Sequence, residues 1–142
     1  MRKQVPLVSR RLYDTNDLIV QEGEAGNSFY LIESGTVEVF KNTGRAEIII
    51  GYIKKNGIFG EMALVDGDRR SASVRAIEPT VCRVFPRDYF QYRLGRSDKL
   101  IRALMRIFTA HIRSLTQLQA EVGVSDIQRP TVKLGKDDLT EG

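Results

Sequence analysis

The chain is poor in the residues that most often carry covalent or metal chemistry. Cys82 is its one cysteine and His111 its one histidine among 142 residues. A single cysteine excludes an internal disulfide and agrees with a reducing cytoplasm. Cys82 lies in the apolar run Val81-Cys82-Arg83-Val84-Phe85, where a thiol serves as a small core hydrophobe. With only one histidine to act as base, a cysteine nucleophile is disfavoured. His111 alone cannot assemble a cupin-type metal centre, which takes several His and Glu ligands. Long hydrophobic runs are also missing, and no stretch approaches the roughly 18 apolar residues of a membrane helix. The N-terminal MRKQVPLVSRR is basic but lacks the apolar stretch of a secretory signal. Nor is there an internal repeat or a low-complexity tract.

What is present reads as one cytoplasmic globular domain. Hydrophobic residues make up 42% and charged residues 28%, enough for a single modest core. The net charge of +4 is compatible with an anionic ligand, a weak nucleic-acid contact or no specific partner.

Two halves differ in pattern. Up to Phe85, β-branched and aromatic runs are broken by glycine at short intervals. They predict strands at Leu18 to Gln21, Phe29 to Glu33, Thr36 to Lys41, Glu47 to Ile53, Ser71 to Ala76 and Thr80 to Phe85. Turn chemistry fills the gaps, as in Ser34-Gly35 and Lys55-Asn56-Gly57. Many short strands closely spaced predict a sandwich or barrel of jelly-roll type. After Phe85 the period changes. Pro86 opens a short helix to about Leu94, Gly95 ends it, and Ser97-Asp98 can cap a longer one. Along that helix Ile101, Leu104, Phe108, His111, Leu115, Leu118 and Val122 follow alternating steps of three and four, with Met105 and Ile112 widening the stripe. The half containing Ile101, Leu104 and Phe108 is expected to pack on the β half. The half containing Leu115, Leu118 and Val122 suits a helix pair. Domain boundaries follow: a basic arm at 1–11, a β half at 12–85, helices at 86–122 and a flexible tail at 123–142.

One segment carries chemistry: Phe59-Gly60-Glu61-Met62-Ala63-Leu64-Val65-Asp66-Gly67-Asp68-Arg69-Arg70-Ser71-Ala72-Ser73-Val74. Gly60 frees the backbone for close approach of a ligand, and Glu61 to Leu64 can make one helical turn whose N–H groups suit an anion. A carboxylate in that place is sensible if Glu61 accepts a hydrogen bond from a sugar hydroxyl. Strand parity adds a second clue. If Val74 and Ala76 face inward, so do Ala72 and Arg70. An inward arginine costs several kcal/mol unless paired, and a bidentate oxyanion such as phosphate suits its fork. Glu61 could itself be that partner in a purely structural pairing. Glycine, carboxylate, arginine and small hydroxyl together favour a phosphorylated sugar.

The run FGEMALVDGDRRSASVRA resembles the phosphate-binding cassette of cyclic-nucleotide-binding domains, found in bacterial catabolite activators, cyclic-nucleotide-dependent kinases and gated channels. The upstream EGEAGNSFYLIESGTVEVF resembles the same family's glycine-punctuated strands. The likeness runs from about Leu12 to Gln119 and implies a mainly β fold, a jelly-roll-like β-roll (double-stranded β-helix) followed by a short and a long α-helix. It implies that Gly60 and the N–H groups of Met62 and Ala63 approach a cyclic phosphate. Glu61 would hold the ribose 2′-hydroxyl, Arg70 would pair with the phosphate, and Ser71 beside Ala72 would complete the ligand-binding cradle. In the family the long helix closes over the base, which points to Ile112, Ser114, Leu115 and Thr116. Ser71 admits either purine, with cyclic AMP favoured and cyclic GMP open. The implied role is a non-enzymatic sensor with no cofactor and no metal. Its output would pass to a second copy of the chain through the long helix or to an effector protein. The opening helix usual in the family, which makes an N-terminal signalling contact, is not evident here, since strand-like sequence starts by about Leu12. The sequence after Val122 carries no helix-turn-helix pair, so no DNA-binding domain is expected. The competing reading is a degenerate roll that only contacts proteins, against which Glu61 and Arg70 both stand intact.

Overall fold

The computed structural model describes residues 8–62, 67, 69–89, 92, 99–122 and 127–128. Among them are β1 (Ser9–Tyr13), β2 (Leu18–Val20), β3 (Ser28–Ser34), β4 (Val37–Asn42), β5 (Glu47–Ile53), β6 (Ile58–Phe59), β7 (Ser73–Ala76), β8 (Thr80–Pro86), β9 (Ile127–Gln128) and one long helix, α1 (Lys99–Val122). The strands form two sheets, ordered β1-β8-β3-β6 and β2-β7-β4-β5-β9. Every pairing is antiparallel except β5 with β9. Early and late strands alternate as neighbours, which is the β-roll that the family resemblance implies. No helix among the described residues is long and apolar enough to cross a membrane.

The core follows from residue parity. Along β3, Tyr30 and Ile32 face the space between the sheets and join Val20, Val37, Ile53, Phe59, Val74, Cys82 and Val84. The alternate residues Phe29 and Leu31 turn the other way, and there Leu31, Phe85 and Tyr89 form a second cluster with Val8, Phe29 and Ile58 packed on it. Phe29 stacks on Phe85 at 4.6 Å between ring centroids. Tyr89 tilts onto Phe85 at 5.5 Å, so the helical residues 87–89 anchor the chain as it leaves the roll. The rest of the short helix and the expected boundary at Gly95, Ser97 and Asp98 lie largely outside the described residues.

Three expectations change. The basic arm does not run to residue 11, because Ser9 to Tyr13 pair with β8 from Ser9↔Val84 to Tyr13↔Thr80. Four of these five residues are exposed, so β1 is held by backbone pairing and by charge rather than by an apolar face. The sequence after Val122 is not wholly without structure, since Ile127 and Gln128 lie parallel to Gly51 and Tyr52. Finally, Ile101, Leu104 and Phe108 do not pack on the roll; they are 52%, 40% and 58% exposed. The face turned to the roll is instead Arg102, Met105, Thr109, Arg113 and Thr116, with Thr109 buried. Thr109 can be buried there because its hydroxyl is satisfied within the helix, donating to the Met105 carbonyl at 2.7 Å.

Candidate functional site

The candidate site is built around a buried guanidinium. Val74 and Ala76 belong to the interior of β7, and counting back by twos puts Ala72 and Arg70 on the same side; both are 8% exposed. The β2–β7 ladder continues past its strands to hold Arg70 in place. Arg70 N donates to Glu24 O at 2.8 Å, and Gly23 N donates to Arg70 O at 2.9 Å. Ser73 Oγ accepts from Glu22 N at 2.9 Å, which ties the same turn to the strand.

The side chain of Arg70 is clamped by two backbone carbonyls. Nη1 donates to Gly60 O and Nη2 to Ser28 O, each at 2.6 Å. These bonds use two of the five N–H groups of a guanidinium and leave three to meet an anion. Burial lowers the Arg70 pKa, the nearby Tyr30 and Glu61 push it back up, and the charge of Arg87 lowers it again. The cation is therefore kept in a place where it is desolvated, and an incoming anion gains from meeting it there. Arg87 adds positive field, fixed by its own bonds from Nη2 to Gly26 O at 2.5 Å and from N to Asn27 O at 2.8 Å.

Gly60 is required twice. Its φ is +86°, and a Cβ there would come within 2.6 Å of Arg70 Nη1 and 3.2 Å of Ser28 O. Any side chain would push the guanidinium off its carbonyl clamp. Glu61 follows, half-buried, with its Oε2 shut off from solvent. Met62 is half-buried in a helical turn and Ser71 is half-buried at a bend. Ala63 lies outside the described residues, as do 64–66 and 68. Of the helix residues expected over a base, Ser114 lies along a wide-open surface cleft with Arg113, Gln117, Leu118 and Glu121, all of them residues of α1 itself. Thr116 is half-buried, while Ile112 and Leu115 stand at the surface.

Several residues at this site carry no sequence signature. Ser28, Gly23 and Glu24 act through backbone groups that any residue possesses. Arg87 and Arg113 were open to detection only as basic residues among many. Cys82 has no chemistry to offer, because burial, aided by the charge of Glu33, pushes its thiol up to about 12.

The β-roll thus presents a buried, carbonyl-clamped arginine behind a positive-φ glycine, an arrangement suited to an anion. Residues 10–97 match the family model of the cyclic nucleotide-binding domain, and the chain belongs to that family. Over 103 residues it is 34% identical to cGMP-dependent protein kinase 2 of Mus musculus, covering 70% of this chain and 14% of the kinase. Over 86 residues it is 40% identical to the cAMP-dependent protein kinase regulatory subunit of Hypocrea atroviridis, covering 61% of this chain and 18% of that subunit. Among solved structures, the EAL enzyme Bd1971 in its cAMP-bound form aligns with a TM-score of 0.74 at 32% identity, covering 80% of this chain and 30% of the other. Its cGMP-bound form aligns with a TM-score of 0.71 at 33% identity, with the same coverage. The chain thus spans a small part of each of these relatives.

Proposed function

We propose that the chain is a cytoplasmic regulatory module without catalysis of its own, which binds 3′,5′-cyclic AMP or cyclic GMP and signals through α1. The cradle comprises Gly60, Glu61, Met62, Ala63, Arg70, Ser71 and Ala72. The observation that carries this reading is the buried Arg70, clamped by two carbonyls with N–H groups still available. A structural arginine needs no such reserve, whereas a cyclic phosphate uses it bidentately. Glu61 supplies the acceptor for a ribose hydroxyl, which distinguishes a nucleotide from free phosphate. The relatives agree in chemistry, since Bd1971 has been captured with cAMP and with cGMP. Output passes through α1 to a second copy of the chain or to an effector protein, and the apolar stripe left exposed on that helix favours the second copy.

Calorimetric titration of nucleotide-free protein with cyclic AMP and cyclic GMP tests the reading. Arg70→Ala is expected to weaken binding by about 2–5 kcal/mol, the cost of removing one partner of a desolvated charge pair. That is a loss of at least about twentyfold. Full affinity in Arg70→Ala with the circular dichroism spectrum unchanged overturns the assignment, as does a wild type that binds neither nucleotide.

A further inference from the structure

Beyond α1 the chain comes back to the roll. Val122 ends the helix, and five residues on Ile127 begins β9, which pairs parallel with Gly51 and Tyr52 of β5. On its other side β5 pairs with β4, from Val37↔Ile53 to Asn42↔Glu47. That ladder slips between Val39 and Phe40, leaving Ile50 as the extra residue next to Gly51. A strand glycine lets a second backbone approach closely, and an edge strand offers its free N–H and C=O groups. β9 takes that place as the outermost strand of the sheet. Nearby, Gln117 Oε1 accepts from Lys41 Nζ at 3.0 Å, an exposed bond that ties the same half of α1 to β4.

The consequence is mechanical. A helix of 24 residues is about 36 Å long. Five residues of chain span at most about 18 Å, so while β9 is paired the far end of α1 stays within that reach of it. A lever motion of α1 that takes its end further must first unpair β9. We propose that β9 is a clasp: its pairing with β5 holds the end of α1 at the roll and opposes the helix movement that carries the signal. This inference rests on the nucleotide site and the α1 output proposed above. A ligand that moves α1 must open the clasp, so clasp opening and nucleotide binding favour one another by the same factor. Two residues of pairing supply only one or two backbone hydrogen bonds, which fits a factor of a few-fold and a clasp that opens reversibly.

Successive N–H groups along a strand point to opposite sides, so one of Ile127 and Gln128 donates toward β5 and the other away from it. Proline removes a ladder bond where the N–H faces in and is tolerated where it faces out. Ile127→Pro and Gln128→Pro, each made in the full chain, therefore include at least one variant that opens the clasp. In that variant the amides flanking Gly51 and Tyr52 should lose hydrogen-exchange protection. The distance between nitroxides placed by Arg45→Cys and Glu121→Cys, both exposed sites, should broaden in pulsed electron paramagnetic resonance. Calorimetry should show cyclic AMP or cyclic GMP bound about threefold to tenfold more tightly than by wild type. Unchanged protection in both variants overturns the clasp, and so does lost protection with the label distance unmoved. Unchanged or weakened nucleotide affinity in the opened variant overturns its opposition to the signal. A wild type that binds neither nucleotide ends the nucleotide site itself, while the exchange and label measurements still decide the clasp.

Discussion

At the scale of the residue, Arg70 and Glu61 divide one recognition task by sign. Arg70 offers a desolvated cation to an anion; Glu61, half-buried beside it, offers an acceptor that a phosphate would repel but a hydroxyl would seek. If Glu61 holds the ribose 2′-hydroxyl, the 2′-deoxy nucleotide should bind wild type more weakly by about 1.5–3 kcal/mol, the scale of a hydrogen bond to a charged group. Glu61→Gln should shrink that difference, and equal affinity of ribo and deoxy ligands for wild type would remove Glu61 from the role. The position of Arg70 was legible because a side chain two residues from Ala72 and four from Val74 must share their face. Its partners were not. Sequence reasoning paired Arg70 with an anion or with Glu61, whereas the clamp consists of the Gly60 and Ser28 carbonyls. Backbone acceptors depend on how the chain is threaded, which no residue type announces.

At the scale of the element, alternation of apolar residues located β3, β4, β5 and β8 to within about two residues, because each has a buried face to mark it. Strand β6 has two residues, too few to show a period. Strand β1 was hidden by its charge: Arg10 and Arg11 suggest a solvated arm, yet the pairing with β8 is complete. Glu33 explains part of this, since it is bonded by Arg83 of β8 and by Arg10 of β1, the latter at 2.8 Å. Burial pushes the Glu33 carboxyl up, but the hydrogen bonds from Arg83 and Arg10 outweigh it and hold the group below its ordinary value of 4.5. A depressed carboxyl contributes stability that is present above the ordinary value and lost as the pH falls through the folded one. Thermal stability should therefore decline between about pH 5 and pH 3, and Glu33→Gln should flatten part of that decline while lowering stability at neutral pH. Hydrogen exchange provides the local readout: amides of β1 should exchange faster in the variant. An identical pH profile in both proteins would show that the clip adds nothing to the fold.

For the whole molecule, the decisive feature is how α1 distributes its two faces. The roll takes the line through Arg102, Met105, Thr109, Arg113 and Thr116, spaced by three and four residues and mostly polar. The stripe through Ile101, Leu104, Phe108, Leu115 and Leu118 remains 40–60% exposed. The sequence showed both periodicities but not which one the roll would claim, because the widest apolar face was free to serve either surface. With the roll occupied on one side, the exposed stripe retains the three-four spacing of a helix pair, and a second copy of the chain presents the same stripe in the same register. Phe108 tests this without touching the cradle or the cleft. In the monomer it is 58% exposed, so Phe108→Glu should change stability by no more than about 0.5 kcal/mol. In a helix pair the same carboxylate would be driven into an apolar seam, at a cost of several kcal/mol. Light scattering at high protein concentration should then give a dimer for wild type and half that mass for Phe108→Glu, with nucleotide affinity retained in the monomeric variant. A monomeric wild type under saturating cyclic nucleotide ends the paired-helix reading and leaves the stripe to an effector protein.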